Sequence, residues 1–225
     1  MNSPLPFSQL TAVKARTLSE QVYEQLKAGI LQGTIAPDTK LNETEVAQWL
    51  NVSPTPVREA FRRLATEGLV ASTPWRGVSV RRVSEKEYLE SYQCREVLEG
   101  LACRLAAEHM DKVGIRRLRQ VLQKSIATTV ATEVVTLNTE LHNIIFEYAG
   151  NAKLKALLGL FHEMILRNRT LTAYNEIRRH EINCEHESII VALEGHDADQ
   201  AEAVMRTHVL NGMAYRKKYG RKEED

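Results

Sequence analysis

Three histidines are the first candidates for coordination chemistry. His142 follows Asn138 by four residues and sits beside Leu141, Ile145 and Phe146. His186 has Ile189, Ile190 and Leu193 on its side of a helix, and His208 has Val204, Met205 and Met213 near its own. Each falls on the apolar side of a segment with helical periodicity. Imidazoles from three different helices that meet in one apolar interior can close on a divalent metal and leave a position open for water or a ligand. Spacing alone leaves a second reading open, in which each is a hydrogen-bonded core histidine. His109, His162, His180 and His196 fall at helix ends or on mixed faces and read as solvated.

Two further polar residues lie where a plain helical bundle would be apolar. Arg95 follows Tyr88 and Tyr92 towards Glu99 and Ala102, and Asn168 continues the stripe Leu154, Leu157, Phe161 and Ile165. An interior arginine is costly unless paired. It either makes an i, i+4 ion pair with Glu99 or clamps the carboxylate of a small effector through two parallel N–H donors.

A third constellation lies between Leu41 and Val80, where the pattern reads as two short helices, a tight turn and a small hairpin. Asn42, with Glu45 three residues on, starts the first helix, and Asn51 ends it. Ser53 starts the second, its hydroxyl able to cap an orphan N–H, and Pro54 and Pro56 stiffen the first turn, where no intrahelical donor is lost. Val57, Ala60, Phe61 and Leu64 face inward, while Thr55, Arg58 and Arg62 share an outer face. A helix that presents hydroxyls at its start and arginines along one side suits end-on insertion into a DNA major groove. Gly68 stops that helix, strands follow over Leu69 to Ser72 and Gly77 to Val80, and Arg76 and Gly77 sit at the tip of a wing.

The run VSPTPVREAFRRLATEGLV followed by RGVSV resembles the winged helix-turn-helix of GntR-family bacterial transcription regulators, and the likeness extends upstream through VYEQLKAGILQGTIAPDTKLNE, roughly residues 17 to 82. The resemblance implies that Ser53, Thr55, Arg58 and Arg62 face operator DNA and that Gly77 lies at the wing tip. Thr44 and Pro54 stand where many members have arginine, so the operator sequence does not carry over. The second half is similar to the FadR-like subgroup with an FCD domain: NTELH, CEHESII and AVMRTH match its metal-binding blocks in order and spacing. Asn138 replaces the usual aspartate there. The resemblance implies a divalent metal on Asn138, His142, His186 and His208, zinc first with nickel or manganese behind, and a small organic acid as effector near Arg95 and Asn168.

These residues need two kinds of scaffold. Over 225 residues with 43% hydrophobic composition, the chain can bury a sizeable core. Net charge is +1, yet residues 1 to 83 carry ten basic against seven acidic side chains, and the remainder carries 20 against 22. The small excess lies where DNA would be. After Val83 no strand pattern recurs, and six amphipathic helices are expected at 85 to 109, 112 to 127, 132 to 148, 151 to 170, 175 to 194 and 197 to 218. The expected architecture is mainly α: a flexible arm (1–16), a winged helix-turn-helix domain (17–82) whose first helix runs from Leu18 to Gln32, an all-helical effector-binding and dimerisation domain (83–219), and a charged tail (220–225).

Cys94, Cys103 and Cys184 form no CxxC pair and read as core fillers in a reducing cytoplasm. No apolar run approaches the roughly 18 residues of a membrane span. The function expected is a homodimeric transcription factor, a repressor by resemblance, that reads a short palindrome and responds to a carboxylate. Two alternatives share the histidines: a metal-dependent hydrolase, and a metal sensor without an organic effector. The hydrolase lacks a general base, since Glu185 and Glu187 flank His186 and are expected to point away from its face.

Overall fold

Asn42 Oδ1 accepts the backbone N–H groups of Thr44 and Glu45 at 2.8 and 3.4 Å, and this cap opens the helix pair around which the N-terminal unit forms. The computed structural model describes residues 16–73 and 77–219. Two compact units separate near Val80, the first ending there and the second holding all that follows.

The first unit contains α1 (Leu18–Leu31), β1 (Lys40–Leu41), α2 (Glu43–Leu50), α3 (Pro54–Thr66), β2 (Val70–Thr73) and β3 (Gly77–Val80). Val22, Tyr23, Leu26 and Ile30 of α1, Ala47 of α2 and Val57, Ala60, Phe61 and Leu64 of α3 are all buried, the faces that their 3.6-residue spacing selects. Asn51 takes the left-handed conformation (φ 53°) that ends α2, one an asparagine tolerates. Pro54 occupies the first turn of α3, but Ser53 makes no side-chain cap bond, unlike the expectation for its hydroxyl. Tyr23 Oη donates to Glu67 at 2.6 Å and Lys27 Nζ pairs with the same carboxylate at 2.8 Å, tying α1 to the end of α3. The sheet is antiparallel in the order β1-β3-β2. Its two-residue β1 carries too short a pattern to read from sequence.

The second unit is all-helical: α4 (Glu85–His109), α5 (Lys112–Ala127), α6 (Ala131–Tyr148), α7 (Ala152–Gly159), α8 (His162–Ala173), α9 (Glu176–Glu194) and α10 (Ala198–Tyr219). One expectation changes: the single helix over 151 to 170 is two, broken after Gly159. The stripe proposed for it fails at Leu157, which is 48% exposed, while Leu158 is buried instead. Leu154 and Leu158 pack with Ala102 and Ala149, whereas Met164 of α8 joins the main core with Ile145, Ile189 and Met205. A straight helix could not turn apolar side chains toward both clusters, so the backbone bends between them, leaving Leu160 76% exposed. The cysteine expectation changes too: only Cys103 is buried, and Cys94 and Cys184 are exposed. No helix among the described residues is long and apolar enough to cross a membrane.

Candidate functional site

On α3 the side chains of Ser53, Thr55, Arg58 and Arg62 are exposed together, and Val57, Ala60 and Phe61 between them are buried. The outer face is therefore polar and cationic. Arg58 is not idle there: its Nε and Nη2 reach the Glu43 carboxylate of α2 at 3.0 and 2.7 Å. That pairing raises its pKa further above the ordinary arginine value. Gly77 is exposed with φ 83°, a conformation that side chains resist, and a Cβ there would meet nothing within 4 Å. Arg76, the other expected wing-tip residue, lies outside the described residues, as do the arm residues 1–15 and the tail.

In the helical unit, α6, α9 and α10 bring His142, His186 and His208 together. Ring centroids lie 5.6 Å apart for His142 and His186, 5.2 Å for His142 and His208, and 4.9 Å for His186 and His208. One ligand atom from each falls within 4.8 Å of the others, and all three side chains are buried. Asn138 is buried one turn before His142 on the same face of α6. Its Oδ1, His142 Nε2 and His186 Nε2 have no hydrogen-bond partner. A buried polar atom left unmade costs about 1–3 kcal/mol, so their grouping calls for something to bind. Burial, then the Arg169 charge, pushes His142 down to about 3, and burial chiefly holds His186 well below its ordinary value. Both rings are neutral at physiological pH and keep a lone pair for coordination.

Carboxylates set which nitrogen of two rings is free. His208 Nδ1 lies 2.6 Å from Glu185 Oε2. Burial would raise Glu185, but bonds from His208 and Arg178 outweigh it and hold the carboxyl below the usual range. An ionised carboxylate only accepts, so Nδ1 carries the proton and Nε2 of His208 is left to coordinate. His142 Nδ1 similarly faces Glu99 Oε2 of α4 at 2.8 Å. The separation is that of a hydrogen bond, yet neither atom has an aligned partner, so the approach is electrostatic first. Burial would raise Glu99, but Arg95, His142 and Arg169 together hold it far below the ordinary carboxylate value.

Glu185 corrects an expectation. Placed beside His186 in sequence, it does not turn away from the cluster but holds His208, with Arg178 on its other oxygen at 2.8 Å. Glu187 does point outward, to Arg119 at 3.0 Å. Arg95 makes the ion pair with Glu99 at 2.8 Å, both side chains being buried, and packs over the Tyr92 ring at 4.9 Å. Asn168 is buried against Gly212 beside Tyr92, and its Oδ1 and the Tyr92 hydroxyl are both unpartnered.

Arg169 was not singled out in the sequence. Buried on α8, it donates to Thr139 Oγ1 at 2.9 Å, and burial pushes its pKa down to about 9 against the pull of Glu99. Among the described residues no carboxylate pairs with it directly. Arg167 and Arg169 flank Asn168 in a stretch that reads as solvated, so nothing in the local pattern marked it. Glu185 had a signal: Arg178 and Glu185 are seven apart, on one face of a helix.

The comparisons with known proteins agree with this division. Residues 18–80 match the family described as bacterial regulatory proteins, gntR family, and residues 90–211 match the FCD domain. YdhC, an HTH-type transcriptional regulator of Bacillus subtilis (strain 168), is 30% identical over 192 residues, 84% of this chain and 86% of its own. A probable D-xylose utilization operon transcriptional repressor of Paenarthrobacter nicotinovorans is 31% identical over 197 residues, 86% of each. The structure of E. coli McbR/YncC superposes with a TM-score of 0.71 at 21% identity, covering 91% of this chain and 99% of that one, a likeness of fold. These are transcriptional regulators and not enzymes, which sets the hydrolase alternative aside. A gntR-type reading head over the first part and an FCD domain over more than half of the chain place it in one family: this protein is a DNA-binding transcriptional regulator of the GntR family.

Proposed function

We propose that the protein is a homodimeric repressor whose α3 helix and wing read a short palindromic operator and whose helical unit binds a small organic acid with the help of a divalent metal. The observation that carries the effector half is the set of converging, unpartnered ligand atoms on Asn138, His142 and His186, together with the His208 Nε2 that Glu185 leaves free. Asn138, His142, His186 and His208 would hold the ion. Bound there, it would act as a Lewis acid toward an anionic ligand. An imidazole-rich set with one amide oxygen fits zinc first, with nickel or manganese behind.

The protein groups do the rest. Glu99 and Glu185 orient two rings, and Arg169, with donors not engaged by any carboxylate, takes the effector's anionic end. Arg95 takes part through Glu99, and Asn168 and Tyr92 offer unpartnered groups to a ligand's polar atoms. On α3, Ser53, Thr55, Arg58 and Arg62 meet the duplex, with Arg76 and Gly77 on the wing. Binding of ligand in the helical unit changes the spacing of two reading heads, and a two-fold operator tolerates one spacing.

Elemental analysis of purified protein, paired with a thermal-shift screen of organic acids before and after chelation, tests this reading. One equivalent of metal and an acid whose stabilisation vanishes on chelation is the expected result. A metal whose loading controls DNA binding with no acid present would favour the metal-sensor reading.

A further inference from the structure

The charges around the histidine cluster do not balance. Arg95 is paired with Glu99, and Arg178 with Glu185. Arg169 is left with a neutral hydroxyl, Thr139 Oγ1, as its hydrogen-bond acceptor. The candidate metal donors are also neutral, being three imidazoles and the Asn138 amide oxygen, so they contribute no charge against a divalent cation. The pocket would therefore confine an uncompensated guanidinium and an uncompensated divalent ion in a buried space. Such a concentration of like charge is unfavourable unless counter-charge enters with it.

Building on the metal-site reading above, we infer that the effector is a dianionic carboxylate, a small dicarboxylate, whose one end lies on Arg169 and whose other end completes the metal site, so that metal and acid bind as an obligate pair. A monocarboxylate could meet Arg169 or the ion but not both. The dicarboxylate supplies the negative charge that Asn138 withholds. Metal retention is then conditional: weak when the pocket is empty and tight when the acid is present, with each partner raising the affinity of the other by the same factor.

The full-length protein, stripped of metal, allows the test. Zinc affinity is measured by competition with a chromogenic chelator at fixed pH and ionic strength, in chloride alone or with acetate, malonate or succinate. Malonate or succinate should tighten zinc binding by about tenfold or more, and acetate and chloride should not. Complexation of zinc by free malonate opposes this gain and cannot imitate it. Asn138→Asp should tighten zinc binding without any acid and shrink the gain from malonate. Arg169→Gln should also tighten zinc binding in chloride, by removing a repelling charge, and should erase the preference for malonate over acetate.

Equal gains from acetate and malonate would overturn the dianion assignment, as would a malonate preference that survives Arg169→Gln. Zinc binding that no acid improves would overturn the coupling and leave the metal reading standing. No zinc binding under any condition, with His186→Ala indistinguishable from the parent protein, would remove both.

Discussion

His208 Nδ1 and Glu185 Oε2 lie 2.6 Å apart, across the packing of α10 on α9, and the same carboxylate holds Arg178 and Asn211. Glu185 thus fixes both the tautomer and the orientation of a ring whose other nitrogen faces the cluster. Glu185→Gln should lower zinc affinity by about 10–100-fold, the usual effect of losing such a support, with circular dichroism unchanged. Chelator competition measures it, and an affinity equal to that of the parent protein would show that the carboxylate does not orient the ring.

Arg95 and Glu99 form a buried pair on one helix. Arg95→Ala leaves the Glu99 carboxylate buried without its ion-pair partner, so it should cost about 3–5 kcal/mol in urea unfolding. Arg95→Leu combined with Glu99→Leu should recover part of that loss. A single substitution that leaves stability intact yet abolishes effector binding would instead make Arg95 a direct ligand of the acid.

For DNA, Arg58→Ala should reduce affinity for duplexes selected from a random library and lower the slope of log affinity against log salt by about one. Fluorescence anisotropy across a salt series gives both quantities. Unchanged affinity and slope would take Arg58 out of the interface.

The thiols should divide cleanly. Cys94 and Cys184 are exposed, while burial and then the Glu99 charge push the Cys103 thiol up, away from the reactive thiolate. An aromatic disulfide reagent should modify two cysteines promptly in the folded protein and the third only in denaturant. Three thiols reacting at one rate would mean that Cys103 is not enclosed as described.

Much of this was legible before any coordinates. The buried faces of α1, α3 and α6 follow residue spacing, because each packs one apolar stripe against one neighbouring surface. The break after Gly159 was not, since Leu154 to Ile165 is apolar at helical spacing throughout and only the presence of two separate clusters forces the bend. The three histidines were placed correctly on inward faces. Glu185 was misjudged because adjacency to His186 describes its angle on α9 and says nothing of where α10 lies. Arg169 escaped because charge beside charge reads as surface until tertiary packing encloses it.

The Arg58–Glu43 contact, two residues 15 apart in the chain, bears on how the α2–α3 corner treats the wrong duplex. A guanidinium that already holds an internal carboxylate must release it before it can grip a phosphate or a guanine edge. On arbitrary sequence that exchange yields little, so residence is brief and the protein moves on. Where a base offers two acceptors at the right angle, the exchange becomes favourable. Glu43 in this way acts as a brake on indiscriminate adhesion, sharpening the contrast between target and chromosome without touching either.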